Sequence, residues 1–378
     1  MTKKYQICTR CVMDTSDPKI VFDQNGECDH CKSYDLDVAP RWHPNEKGMT
    51  IFREKVKKIK KNSGTREFDS IIGLSGGLDS SYLLHMAVEE FGMKPLVFHV
   101  DGGWNTDIAV SNIEKLVNKL GLELYVEVIN WEEMRDFQLA LFKSGTPHLD
   151  IAQDHAFFAT MYRFARKYGI NTILNGGNIS TECVRNPLEW IYYGTDMSFI
   201  KDVRKKFCSN PMKTYPWSNI YYHKIYLRYF KNIEVVRPLN LMPYTKEGAK
   251  KLLAEEYDWT PYPQKHFESR FTRFYEGYWM PTRFGYDTRR VQFSSLILTG
   301  QMTRDEALKE LEKLPYNPDT IDRDIEFICD KLEITKSELD EYHKMPLKWY
   351  YDYKNEKSIF DLGAKVLQKI GFEFSIKR

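Results

Sequence analysis

Apolar and polar positions along this chain alternate between the period of a strand and the period of a helix. Asp69-Ser-Ile-Ile-Gly-Leu74 is a short β-branched run that leads directly into Ser75-Gly-Gly-Leu-Asp-Ser-Ser81. Beyond it Leu83, Leu84, Ala87, Val88 and Phe91 recur at helical spacing until Gly92. The alternation continues: Pro95–Val100 predicts a second strand, 108–120 a helix, 123–128 a third strand and 150–168 a helix closed by Gly169. A fourth strand follows at 171–175 and a fifth at 234–237. Repeated strand–helix units predict an α/β fold, a parallel sheet wound on both faces with ligands outside the carboxyl ends of its strands. Those ends carry the loop at Ser75, then His99 to Gly103, then Gly176-Gly-Asn-Ile-Ser-Thr-Glu182.

The flanks read differently. Phe52, Val56 and Ile59 give the run Arg53–Arg66 one apolar face, so its seven cations against Glu54 predict a solvated helix surface rather than a nucleic-acid groove. The last third is helical: Thr303-Arg-Asp-Glu306 and Thr335-Lys-Ser-Glu338 are capping boxes. Ile321, Ile325, Ile328 and Leu332 form one core stripe, and Ile359, Leu362, Val366 and Ile370 a second. We divide the chain into a metal ribbon (1–40), an α/β nucleotide domain (48–245) and a mainly helical region (246–378) that closes over substrate or docks a partner.

Composition narrows the function classes. The 378 residues suffice for two to three domains at roughly 100–200 residues each, and 42% hydrophobic with 29% charged excludes a disordered or collagen-like chain. Fifty-five basic against 53 acidic side chains leave a net charge of +2, too balanced for a protein whose main work is gripping phosphate backbones. No uncharged run is long enough to span a bilayer, and Met1-Thr-Lys-Lys-Tyr-Gln-Ile-Cys8 has no signal-peptide core, so a soluble cytoplasmic protein is expected, without membrane or nucleic-acid partners.

Four of the seven cysteines fall within the first 31 residues, as Cys8-x2-Cys11 and Cys28-x2-Cys31. Two such knuckles complete a tetrahedral thiolate cage, so a closed, structural Zn²⁺ site is expected, stabilising a ribbon too small for its own core. Lys19–Phe22 and the turn at 23–26 predict a short hairpin between the knuckles. Disulfides are the alternative, and they fit poorly with a cytoplasmic chain whose cysteine count is odd. Cys183, Cys208 and Cys329 read as core or incidental thiols, with a cluster the remoter possibility.

In the Ser75 loop two glycines let the backbone approach an anion, a helix N-terminus favours negative charge, and three serines add donors. Asp79 makes sense there if it holds Mg²⁺ against phosphates. The loop lacks the Gly-Lys-Ser/Thr of a Walker A sequence. It resembles the PP-loop of ATP pyrophosphatases such as asparagine, GMP and NAD synthetases. The resemblance implies that Ser75, Gly76, Gly77, Asp79, Ser80 and Ser81 grip ATP, with His99, Asp101, Gly176 and Gly177 beside them. It further implies cleavage between the α- and β-phosphates and an adenylated substrate. Gly176–Glu182 is similar to the Gly-Asn-x-Ser-x-Glu stretch of NAD synthetases, with one residue inserted before Glu182. That likeness implies a second Mg²⁺ carboxylate at Glu182, the alternative being a polar turn that caps a helix.

The stretch Cys8–Pro18, the PP-loop and a distal block together resemble the N-acetyl sugar amidotransferases, the WbpG and PseA group, over essentially the whole chain. The block comprises Lys265–Tyr275, Phe284–Arg290 and Ser294–Ala307. The resemblance implies adenylation of an acetamido oxygen on a nucleotide-linked diacetamido sugar, then displacement of AMP by ammonia to give an acetamidino sugar for surface-glycan synthesis. No glutaminase nucleophile is visible: residue 2 is threonine, and no Gly-x-Cys-x-Gly elbow surrounds Cys183 or Cys208. The resemblance implies a separate HisH-like glutaminase and a HisF-like ammonia-channel protein. Asp79, Glu182, Lys201, Lys265 and His266 are the candidate catalytic residues, and Asn178, Glu268, Arg270 and Arg273 candidate substrate contacts. Arg270 and Arg273 also alternate with Phe267, Phe271 and Phe274 at helical spacing, which equally describes a charged face over an aromatic stripe. The competing reading, a tRNA-thiolating PP-loop enzyme with a zinc ribbon, predicts a strongly basic domain and a further cysteine constellation that this chain lacks. A pure binding module is disfavoured by the intact Asp79 and serines.

Overall fold

The computed structural model describes residues 4–369. Its centre is a five-stranded, wholly parallel sheet of β1 (Ser70–Gly73), β2 (Pro95–Asp101), β3 (Leu124–Val128), β4 (Thr172–Leu174) and β5 (Glu234–Val236) in the order 3-2-1-4-5. Alternation decides which face each strand residue serves. Ile72, Leu74 and Val97 pack with Leu83, Leu84, Ile113, Leu116 and Leu253 on one side. Ile71, Leu96, Phe98 and Ile173 pack with Met161 and Phe164 on the other. The expected strands lie within a residue or two of these positions. So do the helices at 78–90, 107–119 and 151–167, the first ending in a π-helical turn.

The basic helix Glu46–Ser63 buries Phe52, Val56 and Ile59 and leaves its lysines outward, as the pattern requires. The helix Trp131–Ser144 lies in a stretch the periodicity does not assign. It is opened by Asn130, whose Oδ1 accepts from the Glu133 N–H at 3.1 Å, and closed by Gly145 in the left-handed region. The switch in strand order falls between β1 and β4, so the loops leaving those two strands diverge and open a crevice between them.

The N-terminal ribbon shares a core with the helical C-terminal region. Its turn makes one antiparallel bridge, Phe22 to Cys28, rather than a hairpin ladder. Arg304 donates to the carbonyls of Cys8 and Cys11, and Arg290 pairs with Asp14 at 3.0 Å. The Val12 N–H donates to Ser294 Oγ at 3.2 Å. The C-terminal third is helical, with both capping boxes formed. Ile325, Ile328 and Leu332 are buried as expected. The second stripe is not: Ile359 and Leu362 on the helix Lys357–Lys369 are exposed, because no described element packs over that face, and Ile370 lies outside the described residues. Among the described residues no helix is long and apolar enough to cross a membrane.

Candidate active site

The Ser75 loop is held by bonds within itself. Ser75 Oγ accepts from the Gly77 N–H at 3.2 Å and lies 3.2 Å from Ser80 Oγ, which also accepts from the Ser75 N–H. Gly76 sits at φ +81°, and a Cβ there would meet the Ala109 carbonyl oxygen at 2.7 Å, so only glycine serves. Its carbonyl is fixed by Trp259 Nε1–H at 3.3 Å and the Tyr262 hydroxyl at 3.1 Å. The backbone N–H groups that begin the helix Leu78–His85 thereby stand at a preformed opening, an arrangement suited to anions.

That opening is one end of a cavity of about 480 Å³, within the usual range for small-molecule sites. Ser75, Gly77, Asp79, Ser80, His99, Gly176, Gly177, Glu182, Lys265, His266 and Glu268 all reach its wall, so three strand ends and the distal block meet as expected. Gly176 lets the two loops touch, since a Cβ there would lie 3.2 Å from the Asp79 backbone. Lys265 Nζ stands between the two acidic candidates, 2.5 Å from Glu182 Oε1 and 3.3 Å from Asp79 Oδ2. Burial disfavours the ammonium, but the two carboxylates outweigh it and raise the Lys265 pKa. Burial likewise works against ionised Glu182, and Lys265 reverses it, holding the carboxyl below its ordinary value. The Tyr244 hydroxyl donates to Asp79 Oδ1, and burial with that carboxylate raises the phenol.

Several expected contacts are placed elsewhere. Arg273 pairs with buried Asp324 through Nε at 2.9 Å and through its terminal nitrogen, while Arg270 stacks its guanidinium 3.6 Å over Phe327, so both clamp two helices together and leave the cavity. Arg273→Ala is accordingly expected to cost about 2 kcal/mol of stability, measured by urea unfolding, with the ATP KM unchanged. Lys201 is exposed on the helix Met197–Phe207 and does not line the cavity. Asn178 is buried, where its Oδ1 accepts from the Thr181 N–H at 2.9 Å; it is a helix cap, not a substrate contact. Ser81 is fully buried under the loop, Gly76 turns its carbonyl inward, and Asp101 accepts from the Gly103 N–H and from Asn105 Nδ2, which in turn meets His99 Nε2 at 2.9 Å. These three shape the loops without lining the cavity.

Pattern reading missed the far wall. Asp150, Asp154 and Glu276 line it, together with His148 and the aromatic rings of Phe157, Phe158 and Phe293. Asp150 and Asp154 stand four residues apart at a helix start, a spacing that puts both on one face but reads first as capping. Lys246 also reaches the cavity, two residues beyond Tyr244, and burial lowers its pKa.

Asp154 is half exposed, yet desolvation of its carboxyl at the cavity wall pushes it up to about 6, with His266 opposing and Glu276 reinforcing the shift. A carboxyl raised above its unfolded value stabilises the fold fully below that value and loses the contribution as pH climbs through about 6. Asp154→Asn is therefore expected to melt above the parent at pH 7.5, with the difference narrowing at pH 5 in thermal unfolding.

The four ribbon cysteines are fully buried, unbridged, and bring their sulfurs within 4.8 Å of one another. Edges of 3.6, 3.7 and 3.8 Å match the roughly 3.8 Å of a tetrahedron with metal–sulfur bonds of about 2.3 Å. N–H groups of Arg10, Cys11, Met13 and Cys28 aim at the sulfurs from 3.2–3.4 Å, where they would stabilise thiolates. Cys183 is buried apart from this cage, donates to the Ser295 carbonyl, and its thiol is pushed up to about 12, as befits an inert core residue.

Comparison with known proteins finds two separate family matches. Residues 70–177 match the phosphoadenosine phosphosulfate reductase domain, and residues 268–367 match the C-terminal domain of LPS biosynthesis protein WbpG-like sequences. Sulfate adenylyltransferase subunit 2 of Marinomonas sp. (strain MWYL1) is 30% identical over 120 residues, 31% of this chain; the match spans 38% of that relative's length. Among solved structures, NMN synthetase from Francisella tularensis aligns over 79% of this chain and 97% of its own at 15% identity and TM-score 0.36. The U34-tRNA thiolase NcsA from Methanococcus maripaludis, solved with its [4Fe-4S] cluster, aligns over 91% and 90% at 14% identity and TM-score 0.35. The chain thus joins a four-cysteine ribbon, a segment similar to the phosphoadenosine phosphosulfate reductase domain, which contains the Ser75 loop, and a WbpG-like C-terminal segment.

Proposed function

We propose that this enzyme is an ATP-dependent amidotransferase acting on an acetamido group of a nucleotide-linked diacetamido sugar. The observation that carries the reading is where the WbpG-like segment falls: its Thr272, Tyr275, Glu276, Gln292 and Phe293 line the same cavity as the PP-loop, and its Glu268 accepts from Ser75 Oγ of that loop at 3.4 Å. An amide carbonyl resists ammonia because of its resonance. Attack of its oxygen on the α-phosphorus of ATP, with pyrophosphate leaving on its own oxygen's electron pair, converts that oxygen into part of a good leaving group. Ammonia then forms the C–N bond, AMP departs with the C–O pair, and the nitrogen sheds a proton to leave an amidine. The loop N–H groups and Lys265 hold the phosphates, a task of positioning and charge stabilisation. Asp79 and Glu182 suit Mg²⁺, which when bound neutralises phosphate charge. The four cysteines suit a structural Zn²⁺. The aromatic rings at Phe157, Phe158 and Phe293 suit the sugar's apolar face and acetamido methyl groups.

Ammonia comes, in this reading, from a separate glutaminase through a separate channel protein. The test is a product mass spectrum from purified protein with Mg-ATP, ammonium chloride at alkaline pH and a panel of nucleotide-linked diacetamido sugars. A sugar whose oxygen is replaced by NH, formed with AMP and pyrophosphate, is the expected result. Glutamine is expected to replace ammonium only when the partner pair is added. AMP formation that requires tRNA instead of sugar would overturn the reading.

A further inference from the structure

The cavity is electrostatically two-sided. At the loop end its groups are N–H donors and cations, Lys265 and Lys246 among them, and they suit phosphates. At the other end stand Asp150, Asp154 and Glu276, and among the described residues none of these forms an ion pair with a lysine or arginine; Asp154 has only His148 Nε2, at 3.9 Å. Asp150 is 7% exposed, and its Oδ2 accepts from Thr272 Oγ1 at 2.8 Å. Its Oδ1 is buried and has no hydrogen-bond partner among the described residues. Leaving a buried carboxylate oxygen unpaired is costly unless a ligand supplies the donor. Desolvation raises Asp150, Asp154 and Glu276, and repulsion adds to it, from Asp154 and Glu276 on Asp150 and from Glu276 on Asp154, so the protein resists charging them without a counter-ion. His266 lines the same cavity and acts electrostatically on Glu182, Asp154 and Glu276, and Glu268 Oε1 accepts from Ser75 Oγ at 3.4 Å.

An anionic nucleotide sugar gains nothing from three carboxylates. We propose that this acidic lobe is a subsite for a small N–H cation, ammonium as it enters and the amidinium of the product before it leaves. The assignment of those cations rests on the amidotransferase reading, whereas the cation preference rests on the lobe alone. Four N–H bonds on ammonium, or the two parallel N–H groups of an amidinium, satisfy Asp150 Oδ1 and one or two further carboxylates at once, as a guanidinium does for a carboxylate. A neutral acetamide brings no positive charge to offset ionised carboxyls, whereas an amidinium brings both the charge and the N–H donors. Substrate and product are thereby told apart by charge at the very group that is altered.

The probe is acetamidinium chloride, titrated into the full-length protein by saturation-transfer NMR or calorimetry, with acetamide as the neutral isostere. The expected result is acetamidinium binding at least tenfold tighter than acetamide, weakened at least tenfold in both Asp150→Asn and Asp154→Asn. Asp154 is half exposed, so its variant keeps the measurement valid should Asp150→Asn misfold. With an active sugar in hand, the same variants are expected to raise the KM for ammonium tenfold or more, with the larger change in KM than in kcat. Equal binding of acetamide and acetamidinium, or binding untouched by both variants, overturns the proposal. Clear acetamidinium binding in a protein that aminates no sugar would retain the cation subsite and sink the amidotransferase reading instead.

Discussion

Lys265→Ala is expected to lower ATP-dependent pyrophosphate release by about 10²–10³-fold and to weaken ATP binding, read by a coupled pyrophosphate assay and by nucleotide titration. The Lys265 ammonium touches Glu182 at 2.5 Å and Asp79 at 3.3 Å, so it is the counter-ion of both. Without it two carboxylates face incoming phosphates, and the cost of that repulsion is paid at the step where charge on the leaving pyrophosphate is greatest. Because its pKa is raised, Lys265 keeps its proton through an alkaline assay, and a pH optimum set by ammonia supply is expected to survive in the parent. Lys265→Arg preserves the charge and is expected to recover part of the binding. Asp79→Asn, which leaves Glu182 as the sole partner, serves as the second variant if the first proves unstable. Parent-like rates in both would reduce this trio to a structural cross-link.

The other large effect concerns the ribbon. Removing its metal with a thiol-modifying reagent and a chelator, or making Cys11→Ser, is expected to lower the melting temperature by about 10 °C or more, since structural zinc supplies on the order of 10 kcal/mol to small domains. One equivalent of Zn²⁺ is expected in metal analysis of the parent and none in the variant. The damage will not stay local. Arg304 and Ser294 tie the ribbon to the helices Arg289–Leu298 and Arg304–Leu311, and the first of these presents Gln292, Phe293 and Leu296 to the cavity. On the proposed amidotransferase reading, loss of the metal is therefore expected to raise the KM for the sugar more than that for ATP. A melting curve unmoved by zinc release would show that the ribbon's shared core with the C-terminal helices suffices without it.

What the sequence determined by itself was whatever is written locally. Alternating and helical periods located the strands at 70–73, 95–101 and 124–128 and the helix that follows the glycine loop. Paired cysteines at two-residue gaps announced a cage, because a knuckle is a short-range structure, and Thr303 and Thr335 announced helix starts for the same reason. The loop Ser75–Ser81 was legible as an anion cradle from its glycines and serines, Glu182 entered by resemblance, and the structure brings both to one cavity. Whether a charged side chain serves ligand or scaffold is a different kind of question, because it depends on which other element lies opposite. Arg270 and Arg273 carry the right chemistry for a phosphate, yet Asp324 and Phe327, more than fifty residues later, claim them. Conversely Asp150 and Asp154 look like the start of an ordinary helix until Glu276 and His266 are packed across from them. The same holds for Ile359 and Leu362, whose spacing promises a core that no described element covers. Tertiary structure decided these assignments because desolvation and charge pairing act through space between distant segments, and no local period encodes which segments will meet.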